Sequence, residues 1–216
     1  NHIEKYKTRE AIIASNVPNK TLHTNNFKYD KYIPPPYNNY FKNNYFIYDK
    51  PLLIISNKFN YEWLSEPINF LSINILIKIF ELCKDKYEII YNRPLANNIV
   101  DSSGIIKDLF EKETLKKYGI IDANELFLKV KDKHKINNYN HFQLLLYSCC
   151  NNFISVQGGN SILASYFAGI NIIYAVKGKE IKFNAYTNLF KTFSNCNVLH
   201  AKNYDSLIEL IKNNYL

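Results

Sequence analysis

The chain is expected to fold as an α/β protein built on a doubly wound parallel sheet with helices on both faces. Three observations predict this. Short runs such as Leu52-Leu53-Ile54-Ile55 and Ile170–Tyr174 are apolar throughout, as strands covered on both faces are. Between such runs lie longer segments with apolar residues at helical spacing; the clearest is 70–84, with Ile73, Ile75, Leu76, Ile79, Phe80 and Cys83. The two kinds of segment alternate from Pro51 onward, the order a βαβ architecture requires.

Taken in order, 52–55 is the first strand, 70–84 a helix and 87–91 the second strand. A loop through Asn97 and Asn98 then leads to a helix within 105–117. A weak strand at 119–122 precedes a helix from Asn124, and 142–149 is apolar and of helical length. Asn152–Val156 is a strand, 162–167 a helix, Ile170–Tyr174 a strand, 184–193 a helix, 198–199 a short strand and 205–213 a closing amphipathic helix. Residues 1–49 differ. They are polar and aromatic, with Ile33-Pro34-Pro35-Pro36-Tyr37 and repeated Asn-Asn-Tyr. Apart from a short helix around 5–14 they lack a core-forming pattern. They are expected to be an irregular N-terminal arm or linker lying over the domain formed by residues 50–216.

The densest signal is the passage from Asn152 to Gly169. Gly158-Gly159 allows a sharp turn after a buried strand, and Asn160 or Ser161 is placed to cap the next helix. Backbone N–H groups and the positive end of a helix dipole then face solvent, a setting suited to an anion and above all to phosphate. An ordinary strand-to-helix turn, with glycine solving only sterics, is the alternative. Among the 27 basic residues only Arg9 and Arg93 are arginines. Arg93 follows the second strand and precedes Pro94, so it belongs at the carboxyl edge, where open α/β sheets bind their ligands. A planar, permanently charged fork there suits phosphate; a surface arginine in a loop is the other possibility.

Composition narrows the classes. The formal charge of +8 comes from lysines spread along the chain, not from a dense block, so specific nucleic-acid binding is not expected. Heavy use of Asn, Ile, Lys and Tyr is the imprint of an A/T-rich genome, which also accounts for the tyrosines. Cys83, Cys149, Cys150 and Cys196 form no Cys-x-x-Cys pair and have no His at zinc-ligand spacing, so buried free thiols are expected. No apolar run approaches the ~20 residues of a bilayer span, and Asn1-His2-Ile3-Glu4-Lys5 lacks a signal-peptide core. An intracellular, cytoplasmic protein without a transmembrane segment is expected. The absence of methionine has no physical explanation.

The order of elements, with a double glycine after a late strand, resembles the carboxyl-terminal, nucleotide-sugar-binding domain of glycosyltransferases with the GT-B fold, over 45–216. Ser155-Val156-Gln157-Gly158-Gly159-Asn160-Ser161 resembles the turn facing the donor diphosphate. Ile90-Tyr91-Asn92-Arg93-Pro94 is similar to the strand-end arginine of fucosyltransferase-like members, which contacts nucleotide phosphates. The segment from Tyr174 to Glu180, with Lys177 and Lys179, occupies the place of a donor-contacting loop. The resemblance implies a Rossmann-like domain that takes a GDP- or UDP-linked sugar as substrate and needs no cofactor. It also implies a glycan or protein acceptor. Such enzymes have two Rossmann-like domains, and their base commonly comes from the first. Only one fits here, so a second domain or chain, or residues 1–49, would supply the acceptor side.

The implied chemistry is a metal-independent transfer. Backbone N–H groups around 158–161 and Arg93 would stabilise the departing diphosphate, and the sequence has no Asp-x-Asp motif to hold a divalent ion. Lys58, Lys177 and Lys179 are further phosphate candidates, and Glu180 a candidate acceptor for ribose hydroxyls. His141, just before an apolar helix, is a weak catalytic candidate as general base, with capping or a solvent-facing position as the alternative. Asp101 is a weak one that lies after the arginine loop and would orient it, with loop solvation as the alternative. Trp63 lies at the same rim, placed either to wall the pocket or stack on a ring, or to pack half-buried. The glycines match neither Gly-x-Ser-x-Gly, Gly-x-Gly-x-x-Gly nor a Gly-Lys-Ser/Thr loop, which disfavours serine hydrolases, dinucleotide dehydrogenases and P-loop ATPases. The competing expectation is a non-catalytic module that binds a nucleotide or sugar phosphate and serves assembly.

Overall fold

The computed structural model describes residues 34–61, 66–95, 106–182 and 184–216. The short helix expected around 5–14, and the candidates Asp101 and Trp63, lie outside them. Six strands form one sheet: β1 (Leu52–Ser56), β2 (Glu88–Asn92), β3 (Ile121–Asp122), β4 (Asn152–Val156), β5 (Ile170–Tyr174) and β6 (Asn197–Ala201). Every pairing is parallel, and the order is β3-β2-β1-β4-β5-β6. This is the Rossmann order, with the topological switch between β1 and β4.

The helices are α1 (Tyr37–Tyr40), α2 (Ile73–Cys83), α3 (Lys112–Tyr118), α4 (Ala123–Val130), α5 (Tyr139–Tyr147), α6 (Gly159–Ala164), α7 (Lys179–Lys182), α8 (Ala185–Asn188) and α9 (Tyr204–Tyr215). Right-handed crossovers that leave β1 in opposite directions must put their helices on opposite faces. Accordingly, Leu76, Ile79 and Phe80 of α2, Leu115 of α3, and Leu207 and Ile211 of α9 cover Leu53, Ile55, Ile89, Ile154 and Ile172. On the other face Phe142 and Leu146 of α5, Ala164 of α6 and Tyr186 of α8 cover Leu52, Ile54, Ile90, Phe153 and Ile173. The alternation within each strand is the period-two rule, with both faces apolar. The Tyr215 hydroxyl fastens the last turn of α9, accepting from the Phe153 N–H (3.0 Å) and donating to the Phe153 carbonyl (2.8 Å).

Several boundaries differ from expectation, each for a local reason. The helix expected within 105–117 begins only at Lys112, because residues 107, 108 and 111 are occupied with Arg93. The helix after the double glycine spans Gly159–Ala164, and its N-cap is Gly158, not Asn160 or Ser161. The helix expected over 184–193 is broken. Asn184 adopts a left-handed conformation (φ 52°) at the head of α8, and Phe190–Thr192 is a separate 3-10 turn. Strand β6 is longer than the expected pair 198–199.

The described part of the arm packs on α5. Phe46 is buried against Phe142, with ring centroids 5.7 Å apart, and the Asn43 side-chain amide donates to the Leu145 carbonyl (3.0 Å) and to Ser148 Oγ (3.1 Å). All four cysteines are free thiols. Burial pushes Cys83 up to about 11 and Cys150 and Cys196 up to about 12, which keeps these thiols protonated and inert. Among the described residues no helix is long and apolar enough to cross a membrane.

Candidate functional site at the sheet switch point

Parallel strands all end on one edge, and that edge is where this chain places polar residues. Each apolar run closes on one: Ser56-Asn57-Lys58 after β1, Asn92-Arg93 at β2, Gln157 after β4. Buried polar groups must be hydrogen-bonded, and here they bond to one another. Asn57 is fully engaged. Its Oδ1 accepts from the N–H groups of Leu71 and Lys58 (2.9 Å each), while Nδ2 donates to the Leu71 carbonyl (2.9 Å) and to Tyr91 Oη (3.0 Å). Behind the ends of β1 and β2, Tyr147 Oη lies 2.6 Å from Ser56 Oγ and accepts from Asn92 Nδ2 (2.7 Å), while Tyr139 donates to Asn92 Oδ1 (2.8 Å). Burial pushes the Tyr147 hydroxyl up to about 12, so it remains a neutral hydroxyl group.

At the β1/β4 switch the side chains converge. Gln157 Oε1 accepts from Lys58 Nζ (2.9 Å) and Asn69 Nδ2 (3.3 Å), and Gln157 Nε2 donates to both Glu180 carboxylate oxygens (3.1 Å each). Asn69, fully buried, staples the loop after β5: Oδ1 accepts from Val176 and Lys177 N–H (2.8 and 3.2 Å), and Nδ2 donates to the Lys177 carbonyl (2.8 Å). Gly178 makes the fold-back of Glu180 possible. At φ 156° a side chain there would bring its Cβ within 2.7 Å of Glu180 Oε2.

The turn after β4 is glycine-dependent at one position and open at the other. Gly158 sits at φ 131°, ψ −164°, a region essentially reserved for glycine. Its ideal Cβ position is 3.5 Å from Lys58 Nζ, so backbone and ammonium stand side by side. Around the corresponding point on Gly159 nothing lies within 4 Å. Ser161 and Ile162 N–H donate to the Gly158 carbonyl (3.1 and 3.2 Å), so the first-turn N–H groups without an intrahelical acceptor are those of Gly159 and Asn160.

The remaining candidates fall into place around this turn. Asn160 accepts from Gln143 Nε2 (3.3 Å) through its side-chain oxygen. Ser161 is buried and donates its hydroxyl to the Gly158 carbonyl (2.8 Å), which turns it inward. Lys177 and Lys179 are exposed at the loop and at the start of α7. His141 is not brought to the crevice. It is two positions from Gln143, about 200° around α5, with Nδ1 accepting from Asn137 N–H (3.4 Å) and its ring 6.2 Å from that of Phe41.

Arg93 does stand at the carboxyl end of β2, but its guanidinium is committed elsewhere. Nε donates to Glu111 Oε1 at 2.5 Å, Nη1 donates to the Lys107 carbonyl (3.2 Å), and Nη2 lies 3.8 Å from Asp108. Burial disfavours the charge, but the hydrogen bond and charge of Glu111 outweigh it and hold the guanidinium above its ordinary pKa. Both partners are about 5% exposed. The structure therefore joins Lys58, Asn69, Gln157, Gly158, Lys177 and Glu180, and leaves Arg93 in an ion pair of its own. Asn69 was missed, and nothing near it in the sequence marks it. Asn57 and Asn92 carried a signal: a polar residue closing an apolar strand. No protein-family model matches the chain, and no curated protein or solved structure matches it either.

Proposed function

We propose that the crevice between β1 and β4 binds the diphosphate of a nucleotide sugar, and that the chain is the donor-binding domain of a metal-independent glycosyltransferase. The observation that carries this is the pairing of Lys58 with the Gly158-Gly159 turn at the switch point. Glycosyl transfer leaves a diphosphate on which negative charge grows as the bond to the sugar breaks. An ammonium held by Gln157 and the first-turn N–H groups of α6 are groups that such charge would meet without reorganisation. Glu180, held by Gln157 on the β5 side, accepts hydrogen bonds and suits the ribose hydroxyls. The base that activates the acceptor, a glycan or a protein, comes from a second domain or chain or from residues 1–49. Free cysteines suit a reducing, cytoplasmic setting.

One observation favours the competing reading, a module that binds the same ligand without turnover. Of the described acid and imidazole candidates, Glu180 is engaged by Gln157 and His141 faces the arm. A thermal-shift screen of UDP, GDP, CMP and their sugars tests binding, since a ligand that binds only the native state raises the melting temperature. A UDP- or GDP-sugar is expected to do so. Lys58→Met should then weaken its binding by about 1.5–3 kcal/mol, the range for a hydrogen bond to a charged group. Gly159→Val should keep the fold, because its Cβ meets nothing, yet weaken binding by filling the space of the phosphate. Unchanged affinity in both variants would overturn the proposed site. Transfer or hydrolysis of the bound sugar supports the enzyme; tight binding without either supports the module.

A further inference from the structure

On the β2 side of the same edge, residues 106–111 form a strap tied down at both flanks. Ile106 makes an antiparallel bridge with Asn60, and Lys107 N–H donates to the Phe59 carbonyl (2.8 Å). Lys107 Nζ pairs with Glu66 (2.5 Å) and lies 4.7 Å from the Tyr61 ring centroid. At the other flank, Asp108 and Glu111 hold Arg93. Between these anchors stands Phe110. Its neighbours Leu109 and Glu111 are buried, while the Phe110 side chain is 80% exposed. Its backbone is left-handed (φ 58°), a conformation bulky residues rarely adopt, and its N–H donates to Asp108 Oδ1 (2.9 Å). The strap thus accepts backbone strain and holds an aromatic ring out into solvent at the ligand edge. Such strain persists only where surrounding structure imposes it, and it clusters at ligand sites.

We propose that Phe110 is a stacking platform for the saccharide acceptor, with the Asp108 carboxylate receiving its hydroxyls; this rests on the donor reading above. The side follows from that reading. Glu180 lies after β5 and takes the ribose, so the sugar end of the donor points across the switch toward β1 and β2. The chemistry of the strap selects the class of ligand. A pyranose presents a C–H face that packs on an aromatic ring and a rim of hydroxyl donors. Asp108 is 63% exposed, so the strap presents a carboxylate acceptor beside the ring. That carboxylate disfavours a phosphate.

The test is binding to an array of neutral oligosaccharides, followed by titration with the best one, and a parallel titration with UDP and GDP. The proteins are wild type, Phe110→Ala, Phe110→Gly and Phe110→Trp. Saccharide affinity should fall about tenfold or more in the Ala and Gly variants, the scale of one lost stacking contact, and be largely kept in Trp. Nucleotide affinity should not change. Phe110→Gly relieves the left-handed strain, so its melting temperature should hold or rise while saccharide binding is lost, which a purely structural role would not produce. Saccharide affinity unchanged in Ala and Gly, no saccharide bound by wild type, or capture of peptides alone would overturn the proposal. Failure of the nucleotide titration in wild type would instead count against the donor reading, and the saccharide comparison would still stand on its own.

Discussion

Replacing Arg93 by Ala should lower the free energy of unfolding by about 3–5 kcal/mol, the cost of leaving one member of a buried ion pair uncompensated. The pair has the properties that produce such a cost. Nε and Glu111 Oε1 are 2.5 Å apart, and the two side chains are 6% and 7% exposed. Glu111 Oε2 already lacks a partner, so removal of the guanidinium would strip a buried carboxylate of its main donor. Arg93→Lys should recover only part of the loss, because one ammonium cannot reach Glu111, Asp108 and the Lys107 carbonyl with the same planar fork. Replacing both partners by apolar residues, as in Arg93→Met with Glu111→Leu, should restore most of the stability. Equilibrium urea denaturation of the four proteins measures this. A phosphate-binding arm would behave in the opposite way: nucleotide affinity would fall in Arg93→Ala while stability held.

Gly169→Ala should be comparably severe, about 3–5 kcal/mol, from backbone strain and overpacking together. Gly169 has φ 100°, and a Cβ there would sit 2.0 Å from the Asn151 carbonyl oxygen. No rotamer change relieves a clash with backbone. That carbonyl also accepts from Ile170 N–H (2.9 Å), and the Gly169 carbonyl accepts from Asn197 N–H (2.7 Å). Any shift that makes room therefore disturbs the amino ends of β4, β5 and β6 together. Gly119 provides the control. It is also left-handed (φ 66°) but meets nothing within 4 Å, so its Ala variant should lose only about 1 kcal/mol. Equal losses at the two positions in urea denaturation would show that the close approach of Gly169 to Asn151 costs nothing.

The sheet was legible because its central strands are written without interruption. Leu53, Ile54 and Ile55, or Ile172 and Ile173, are fully buried, and only a strand covered on both faces needs apolar residues at consecutive positions. The segment between β5 and β6 was not legible. Residues 184–193 have helical composition, and periodicity does not record the left-handed turn at Asn184 that breaks them. At the site, Gln157 and Gly158 could be placed at the end of β4 from strand pattern and glycine conformation alone. The partner of Arg93 could not. Glu111 lies 18 residues further on, and in sequence it is one more polar residue beside a lysine. The strand-end position of Arg93 could be read; what its charge does there is set by a tertiary contact. Asn69 is the same case, since its value lies in closing backbone groups of Val176 and Lys177.

The most direct measurement is titration of the isotopically labelled protein with GDP and with UDP while backbone amide shifts are followed. Saturable shifts should concentrate at Lys58, Gly158, Gly159, Asn160 and Lys177, the groups around the β1/β4 switch, and should leave the amino edge near Asn151 and Gly169 unmoved. Saturable shifts confined to another face of the sheet, or none with either nucleotide or its sugars, would contradict a diphosphate site at the switch point.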